Sequence, residues 1–237
     1  MSILDSIIQY LQNYWGDGLI GLFELTAIVI GIRYAKKDKV SIILISYLLL
    51  DFVILLVDVY LITISGLGRR QLSYFITRSN LFISIVELYT YYIFFKATLT
   101  NNRVLQLMHS IISVFILIVI IYFTTEFNFL ESRYSSVANI ISVIGFLILL
   151  IPCITFYGEL IKSGSSTSLF SRPSFWIVTG IFFFSNISIP YFLLERFLSA
   201  NKYEFKRIMD FSFFHFPLII NYIFISRAFL CRKALTI

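Results

Sequence analysis

Apolar stretches long enough to cross a bilayer recur from residue 18 to residue 231, separated only by short polar breaks. A helix needs about 20 predominantly apolar residues to span a hydrocarbon core about 30 Å thick. The pattern therefore predicts an all-α membrane protein with seven transmembrane helices, in which residues 1–237 form a single domain. The predicted spans are residues 19–34, 40–65, 74–95, 104–125, 137–161, 174–194 and 211–231.

A short amphipathic segment precedes the first predicted span. Residues 2–15 place apolar side chains at helical spacing, with polar residues such as Asp5 on the opposite face. This pattern is typical of a helix that lies in the membrane interface. The Gly-Asp-Gly sequence at residues 16–18 is expected to end this interfacial helix before the first span begins.

The second predicted span carries two carboxylates within its apolar sequence, VSIILISYLLLDFVILLVDVYLITIS. Asp51 and Asp58 are close to two helical turns apart, so both lie on one stripe, about 10 Å apart along the axis. Charged side chains in a span usually face the interior of a helix bundle or a water-filled cavity. The second span is therefore predicted to pack against other spans along this stripe.

The third predicted span is the most polar of the set. Asn80, Ser84, Glu87 and Tyr91 follow one another at spacings of four, three and four residues. Because residues at these spacings share one helix face, we expect that face to point into the bundle. In the first span, Glu24 lies among small residues and is expected to approach a neighbouring helix closely.

Depth along the helices divides the intramembrane charges into two layers, because each residue advances a helix by about 1.5 Å. Glu24, Asp58 and Arg78 are predicted to form an outer layer, in which Arg78 neutralises one or both acids in a structural ion pair. Asp51 and Glu87 lie nearer the midplane, where an intramembrane acid usually marks a site for a ligand or an ion. The further residues expected at that site are Asn80, Tyr91, Asn186, His215 and Tyr222.

Composition excludes a soluble globular domain, because 59% of the residues are hydrophobic, 14% are charged and the mean hydropathy is +0.89. The net charge of +6 indicates topology rather than nucleic-acid binding. With seven spans, the side that holds the C-terminus has eleven basic residues and one acid, whereas the other side has seven of each. Basic residues concentrate in cytoplasmic loops. The N-terminus is therefore predicted outside, the C-terminus in the cytoplasm, and the chain in the inner (cytoplasmic) membrane.

Several specific chemistries lack the residues they need. No lysine lies between Lys206 and Lys233, so the last span cannot form a retinal Schiff base. Two histidines, His109 and His215, are too few for a membrane zinc hydrolase. No HExxH, GxSxG, Walker or CxxC motif is present. The sequence predicts no catalytic residue, no cofactor and no metal.

Three segments carry a resemblance to a known family, namely SIVELYTYYIFF, RPSFWIVTGIFFFSNISIPYF and HFPLIINYIFISRAFL. The acid in the third span, together with Pro173, Phe175, Trp176 and Ile177 at the start of the sixth, resembles an uncharacterised family of small seven-helix bacterial integral membrane proteins. The resemblance implies the seven-span fold and no particular activity. It also points to a membrane signalling protein, such as a histidine kinase, as a partner.

Three functions follow from these features as alternatives. The first is a sensory or receptor-like module in the lipid bilayer, whose polar interior binds a small ligand and which signals through a separate partner. The second is a small secondary transporter, in which Asp51, Asp58 and Glu87 bind protons or cations. The third is a lipid-modifying enzyme, which would need a metal or a nucleophile–base pair that the sequence does not show.

Overall fold

The computed structural model of the chain is helical, with no strand among the residues it describes. The described residues are 15–35, 38–63, 69–125, 134–163, 169–198 and 211–231. The helices are α1 (Trp15–Tyr34), α2 (Lys39–Thr63), α3 (Arg69–Thr98), α4 (Asn102–Thr125), α5 (Tyr134–Lys162), α6 (Pro173–Leu198) and α7 (Phe216–Phe229). A single 3₁₀ turn, Leu169–Ser171, precedes α6, and a π-helical turn, Phe211–His215, leads directly into α7.

Six of these helices, α1 to α6, are long and apolar enough to cross a membrane, and a shorter apolar helix covers Phe213–Phe229. The prediction of an all-α, multi-span membrane protein is therefore confirmed. The shorter seventh helix carries Pro217 in its first turn. Proline is accepted there because the first backbone N–H groups of a helix have no partner within it.

The predicted break at residues 16–18 is wrong, because α1 begins at Trp15 and continues through this segment. Gly16 serves a different purpose, as a Cβ there would lie 2.9 Å from the His215 ring. The glycine therefore lets α1 and the turn before α7 approach closely. The interfacial helix predicted for residues 2–15 lies outside the described residues, apart from Trp15.

Six helices form a closed ring, in which α1, α2, α3, α5, α6 and α7 each pack on the next and α7 packs back on α1. The remaining helix, α4, packs outside this ring against α3 and α5. Its outward side chains, such as Leu117 and Ile120, are exposed in the isolated chain. An apolar surface of this kind suits contact with lipid.

The interior of the ring differs between its two ends. At the end where α2 begins and α3 and α7 finish, large apolar side chains are almost fully buried, among them Leu44, Leu48, Phe94, Phe95 and Ile225. At the opposite end, where α1 begins and α2 finishes, the ring encloses a cavity. One half of the bundle is therefore a packed core, and the other half holds a space that a ligand could occupy.

Candidate functional site

The cavity has a volume of about 380 Å³ and is lined by side chains from all six helices of the ring. This volume lies within the range typical of small-molecule binding sites. No side chain of α4 lines it, in agreement with the position of α4 outside the ring. The cavity is therefore a property of the ring and not of a pair of helices.

Carboxylates dominate the polar part of the lining. Five acids line the cavity, namely Asp17 and Glu24 of α1, Asp51 and Asp58 of α2, and Glu87 of α3. Within the described part of the chain, no lysine, arginine or histidine lines it. A cavity with low-dielectric walls and charges of one sign concentrates ions of the opposite sign, so this space favours cations.

The floor of the cavity joins three helices through polar side chains. The Tyr222 hydroxyl of α7 donates a hydrogen bond of 3.0 Å to Asp51 Oδ2 of α2. The carboxyl group of Glu24, on α1, adjoins both of these residues. Glu24 is 1% exposed, and its Oε1 has no hydrogen-bond partner among the described residues. Two carboxyl groups in contact repel one another unless a proton or a cation lies between them.

A second group of acids lies nearer the start of α1. Asp17 Oδ1 is 2.8 Å from His215 Nε2, so the imidazole N–H donates to this carboxylate and links α1 to the turn before α7. The single Ser79 hydroxyl proton is shared between the Asp58 carboxylate, whose two oxygens lie 3.2 and 3.3 Å from Ser79 Oγ, and the Ile76 carbonyl at 3.0 Å. Each of these acids lies seven residues from an acid of the floor on the same helix, which corresponds to about 10 Å. We call this upper level the mouth.

The polar face predicted on α3 points into the cavity over much of its length. Asn80, Ser84 and Glu87 line the cavity, and Glu87 lies within electrostatic range of Asp51. Tyr91, one turn further on, is 1% exposed below the floor, with its ring 6.1 Å from that of Tyr47. The tyrosine pair therefore separates the cavity from the packed half of the bundle.

Aromatic rings form the wall of the cavity opposite the acids. Phe146 of α5, Phe184 and Phe192 of α6 and Phe214 before α7 line it. Their ring centroids lie 5.3 to 6.0 Å apart in four pairs, within the range of favourable aromatic contacts. The cavity thus has an acidic side built from α1 to α3 and an aromatic side built from α5 to α7.

Two residues predicted at the site of Asp51 and Glu87 lie elsewhere than expected. Asn186 is exposed on α6 and donates to the Phe182 carbonyl of its own helix, so the structure does not bring it to the cavity. His215 bonds to Asp17 at the mouth, whereas its predicted place was beside Asp51 or Glu87.

Glu24 belongs to the floor and not to an outer layer with Asp58. The first predicted span starts at residue 19, but α1 begins at Trp15, and the extra turn places Glu24 further into the bundle.

The contacts of Arg78 point toward α4. Its guanidinium donates to the Phe123 carbonyl at 3.3 Å and lies 5.4 Å from the centroid of the Phe123 ring. Arg78 does not line the cavity, although Glu24 and Asp58 do. The predicted ion pair of Arg78 with either acid stays a prediction, and the structure records a hydrogen bond and a cation–π contact of this arginine with Phe123.

Sequence reasoning missed two parts of the site. Asp17 was assigned to a loop because two glycines flank it, although its place seven residues before Glu24 repeats the spacing of Asp51 and Asp58. The aromatic wall could not be predicted from the sequence, because 26 phenylalanines are spread along the whole chain.

Comparison with protein-family models, with curated proteins and with solved structures finds no match to this chain.

Proposed function

We propose that this protein is a receptor-like membrane module that binds a small, positively charged molecule in the acidic cavity and signals through a separate partner. The observation that carries the proposal is the lining of one cavity by five carboxylates, with no basic side chain among the described residues that line it. A ligand cation would relieve the mutual repulsion of these acids. Binding energy would therefore come mainly from electrostatics inside a space of low dielectric.

The closed end of the bundle supports binding in preference to passage. Below the floor, Tyr47 and Tyr91 are in contact, and beyond them Leu44, Phe95 and Ile225 are each at most 1% exposed. A molecule that reaches Asp51 from the mouth meets a packed core. This arrangement suits a binding pocket with one opening.

Helix α7 offers a way for binding to alter the bundle. It contacts the floor through Tyr222 and Asp51, and the turn before it contacts the mouth through His215 and Asp17. A cation bound to Asp51 competes with the Tyr222 hydrogen bond at the floor. A ligand changes a conformational equilibrium only by its differential affinity for the two states, and this contact provides such a difference.

The orientation and the membrane are part of the proposal. The excess of basic residues on the side of the C-terminus supports placing the cavity mouth outside and the packed end toward the cytoplasm of a cytoplasmic membrane. Cys231, just after α7, is partly exposed, whereas Cys153 is fully buried in α5. A membrane-impermeant maleimide should label Cys231 in inside-out vesicles and not in intact cells. Labelling of intact cells would reverse the orientation.

Signalling is tested by comparing deletion with a single change in the cavity. Transcript profiles of a deletion strain and of a strain with Asp51→Asn should change together, while a strain with Asp38→Asn should match wild type. Asp38 lies just before α2, at the end of this helix away from the cavity. Its carboxylate caps the helix by accepting the backbone N–H and the hydroxyl of Ser41. Tagged protein purified in mild detergent should also recover a signalling protein. An unchanged profile together with no recovered partner would remove the receptor function.

A small secondary transporter is the second candidate, and one observation favours it. The contact of Glu24 with Asp51 places two carboxyl groups on neighbouring helices, an arrangement that can bind and release a proton or a cation. Pro152 and Pro190 inside α5 and α6 interrupt the hydrogen bonding of these helices and would allow bending. Cation flux into liposomes that is lost in Asp51→Asn and Glu87→Gln would establish transport. Flux in both variants equal to that of the wild-type protein would remove the roles of these acids in transport.

A further inference from the structure

The acids of the cavity lie at two levels, and the distance between the levels restricts the length and charge of a ligand that contacts both. Asp51 and Glu24 meet at the floor, whereas Asp58 lies at the mouth, seven residues beyond Asp51 on the same helix. The rise between the two aspartates is about 10 Å. One compact cation cannot contact both levels at once, because a charge-assisted hydrogen bond spans only about 2.7–2.9 Å.

The Glu24 carboxyl group at the floor is buried and only partly hydrogen-bonded. Glu24 is 1% exposed and lines the cavity, yet its Oε1 has no hydrogen-bond partner among the described residues. An unsatisfied buried carboxylate oxygen costs free energy that a donor from a ligand would recover. An ammonium group carries three N–H donors, enough to reach Glu24 and Asp51 together.

The space between the two levels is apolar on the side of α2 and of the phenylalanine rings, while Asn80 and Ser84 of α3 add polar groups to it. On α2, Ile54 and Leu55 line the cavity between Asp51 and Asp58. Across from them are the phenylalanine rings of α5 and α6, among them Phe146 and Phe184. A methylene chain buries its surface well against such walls, at about 0.8 kcal/mol for each CH₂ group.

We infer that the ligand is a linear aliphatic dication, with one ammonium group held by Asp51 and Glu24 at the floor and the second held by Asp58 at the mouth. This inference rests on the proposed cation-binding function and specifies its ligand class. Asp58 suits the second contact better than Asp17, because the Asp17 carboxylate already accepts the His215 N–H. The Ser79 hydroxyl that donates to Asp58 is neutral and leaves the negative charge in place.

The rise between the acids sets the length of the ligand. An extended chain advances about 1.2 Å per bond, so about 10 Å corresponds to about eight bonds between the two nitrogens. An α,ω-diaminoalkane of about seven carbons has this length. Shorter diamines would reach only one level, and a monoamine of equal length would lack the contact with Asp58.

The test uses isothermal titration calorimetry of the full-length protein in phosphatidylcholine nanodiscs, with empty nanodiscs as the blank. The titrants are α,ω-diaminoalkanes of four to twelve carbons and the matching monoamines. Affinity should be highest near seven carbons, where the diamine should bind about 10- to 100-fold more tightly than heptylamine, the effect of one charge-assisted contact. Asp58→Asn should reduce diamine affinity to that of heptylamine without changing heptylamine binding.

Two further variants complete the test. Asp51→Asn should weaken the diamine and the monoamine alike, and Asp38→Asn should change neither. Retained heptylamine binding also shows that Asp58→Asn is folded. Affinity that does not depend on chain length, or a diamine preference that survives Asp58→Asn, would overturn the dication.

The same titrations separate failure of the ligand class from failure of the function. If monoamines and diamines bind with equal affinity and Asp51→Asn abolishes the binding of both, the cation cavity stands while the dication is wrong. Titration with Na⁺ and Mg²⁺ alone covers the case in which no amine binds. Binding of either ion would replace the dication with an inorganic cation, and absence of all binding would refute both proposals.

Discussion

Replacing Gly180 with alanine should destabilise the bundle at the contact between α6 and α7. An added Cβ would lie 2.5 Å from Asn221 Oδ1, 3.2 Å from Phe224 Cβ and 3.4 Å from Asn221 Cα. Asn221 is 2% exposed, so its amide has no open space to move into. Overpacking of this kind costs about 1–3 kcal/mol. Alanine also gains about 1 kcal/mol over glycine in a helix interior, which offsets part of that cost.

Gly158→Ala is the matched control, since no atom lies within 4 Å of the Cβ it would add in α5. The gain in helix propensity is common to both variants, so Gly180→Ala should be less stable than Gly158→Ala by about 1–3 kcal/mol. Reversible unfolding by SDS in mixed micelles, followed by circular dichroism, measures this difference. Adding Asn221→Ala to Gly180→Ala removes the clashing oxygen and should recover part of the loss. Stabilities of the two glycine variants within about 0.5 kcal/mol would refute a contact this close.

Three other contacts give predictions that the same unfolding assay can check. Asp17→Asn and His215→Gln should show a coupling free energy of about 1 kcal/mol in a double-mutant cycle, and additive losses would argue against their hydrogen bond. Tyr222→Phe, which removes the donor to Asp51, should cost about 0.6 kcal/mol, the average for interhelical hydrogen bonds in membranes, and a loss above about 2 kcal/mol would indicate another role. Glu159→Gln should cost about 1 kcal/mol of unfolding free energy, because the Glu159 carboxylate accepts the backbone N–H groups of Thr100 and Asn101, at 3.0 and 2.9 Å, in the loop before α4. An unchanged unfolding midpoint would contradict these two hydrogen bonds.

Periodicity was a reliable guide to which polar residues share a face. Asp51 and Asp58 were predicted on one stripe, and both line the cavity because two helical turns return a side chain to nearly the same direction. The same argument placed Asn80 and Glu87 on one face of α3, where they also line it. Periodicity needs only local helical geometry, so tertiary packing did not affect these predictions.

Depth was harder to predict, because it depends on where each helix begins. The Gly-Asp-Gly segment reads locally as a turn, yet the close approach of His215 to Gly16 explains why glycine occurs there within a helix. The error moved Glu24 by about one turn and assigned it to the wrong layer. The identity of partners between helices was beyond the sequence as well, since Tyr222 reaches Asp51 only through the packing of α7 inside the ring.

The division of the cavity between acids on α1 to α3 and phenylalanines on α5 to α7 restricts what can bind there. An inorganic cation needs oxygen ligands around it and gains little from the aromatic wall, whereas an apolar molecule gains nothing from five carboxylates. An organic cation would use both walls, since its charge would meet the acids and its carbon chain would meet the rings. Helix α7 lies where the two sides meet, with Phe214 just before it on the aromatic side and Tyr222 bonded to Asp51 on the acidic side. Occupation of the cavity would therefore alter the contacts of α7 first. The far end of this helix leads to the C-terminus, which lies on the side where a cytoplasmic partner is proposed.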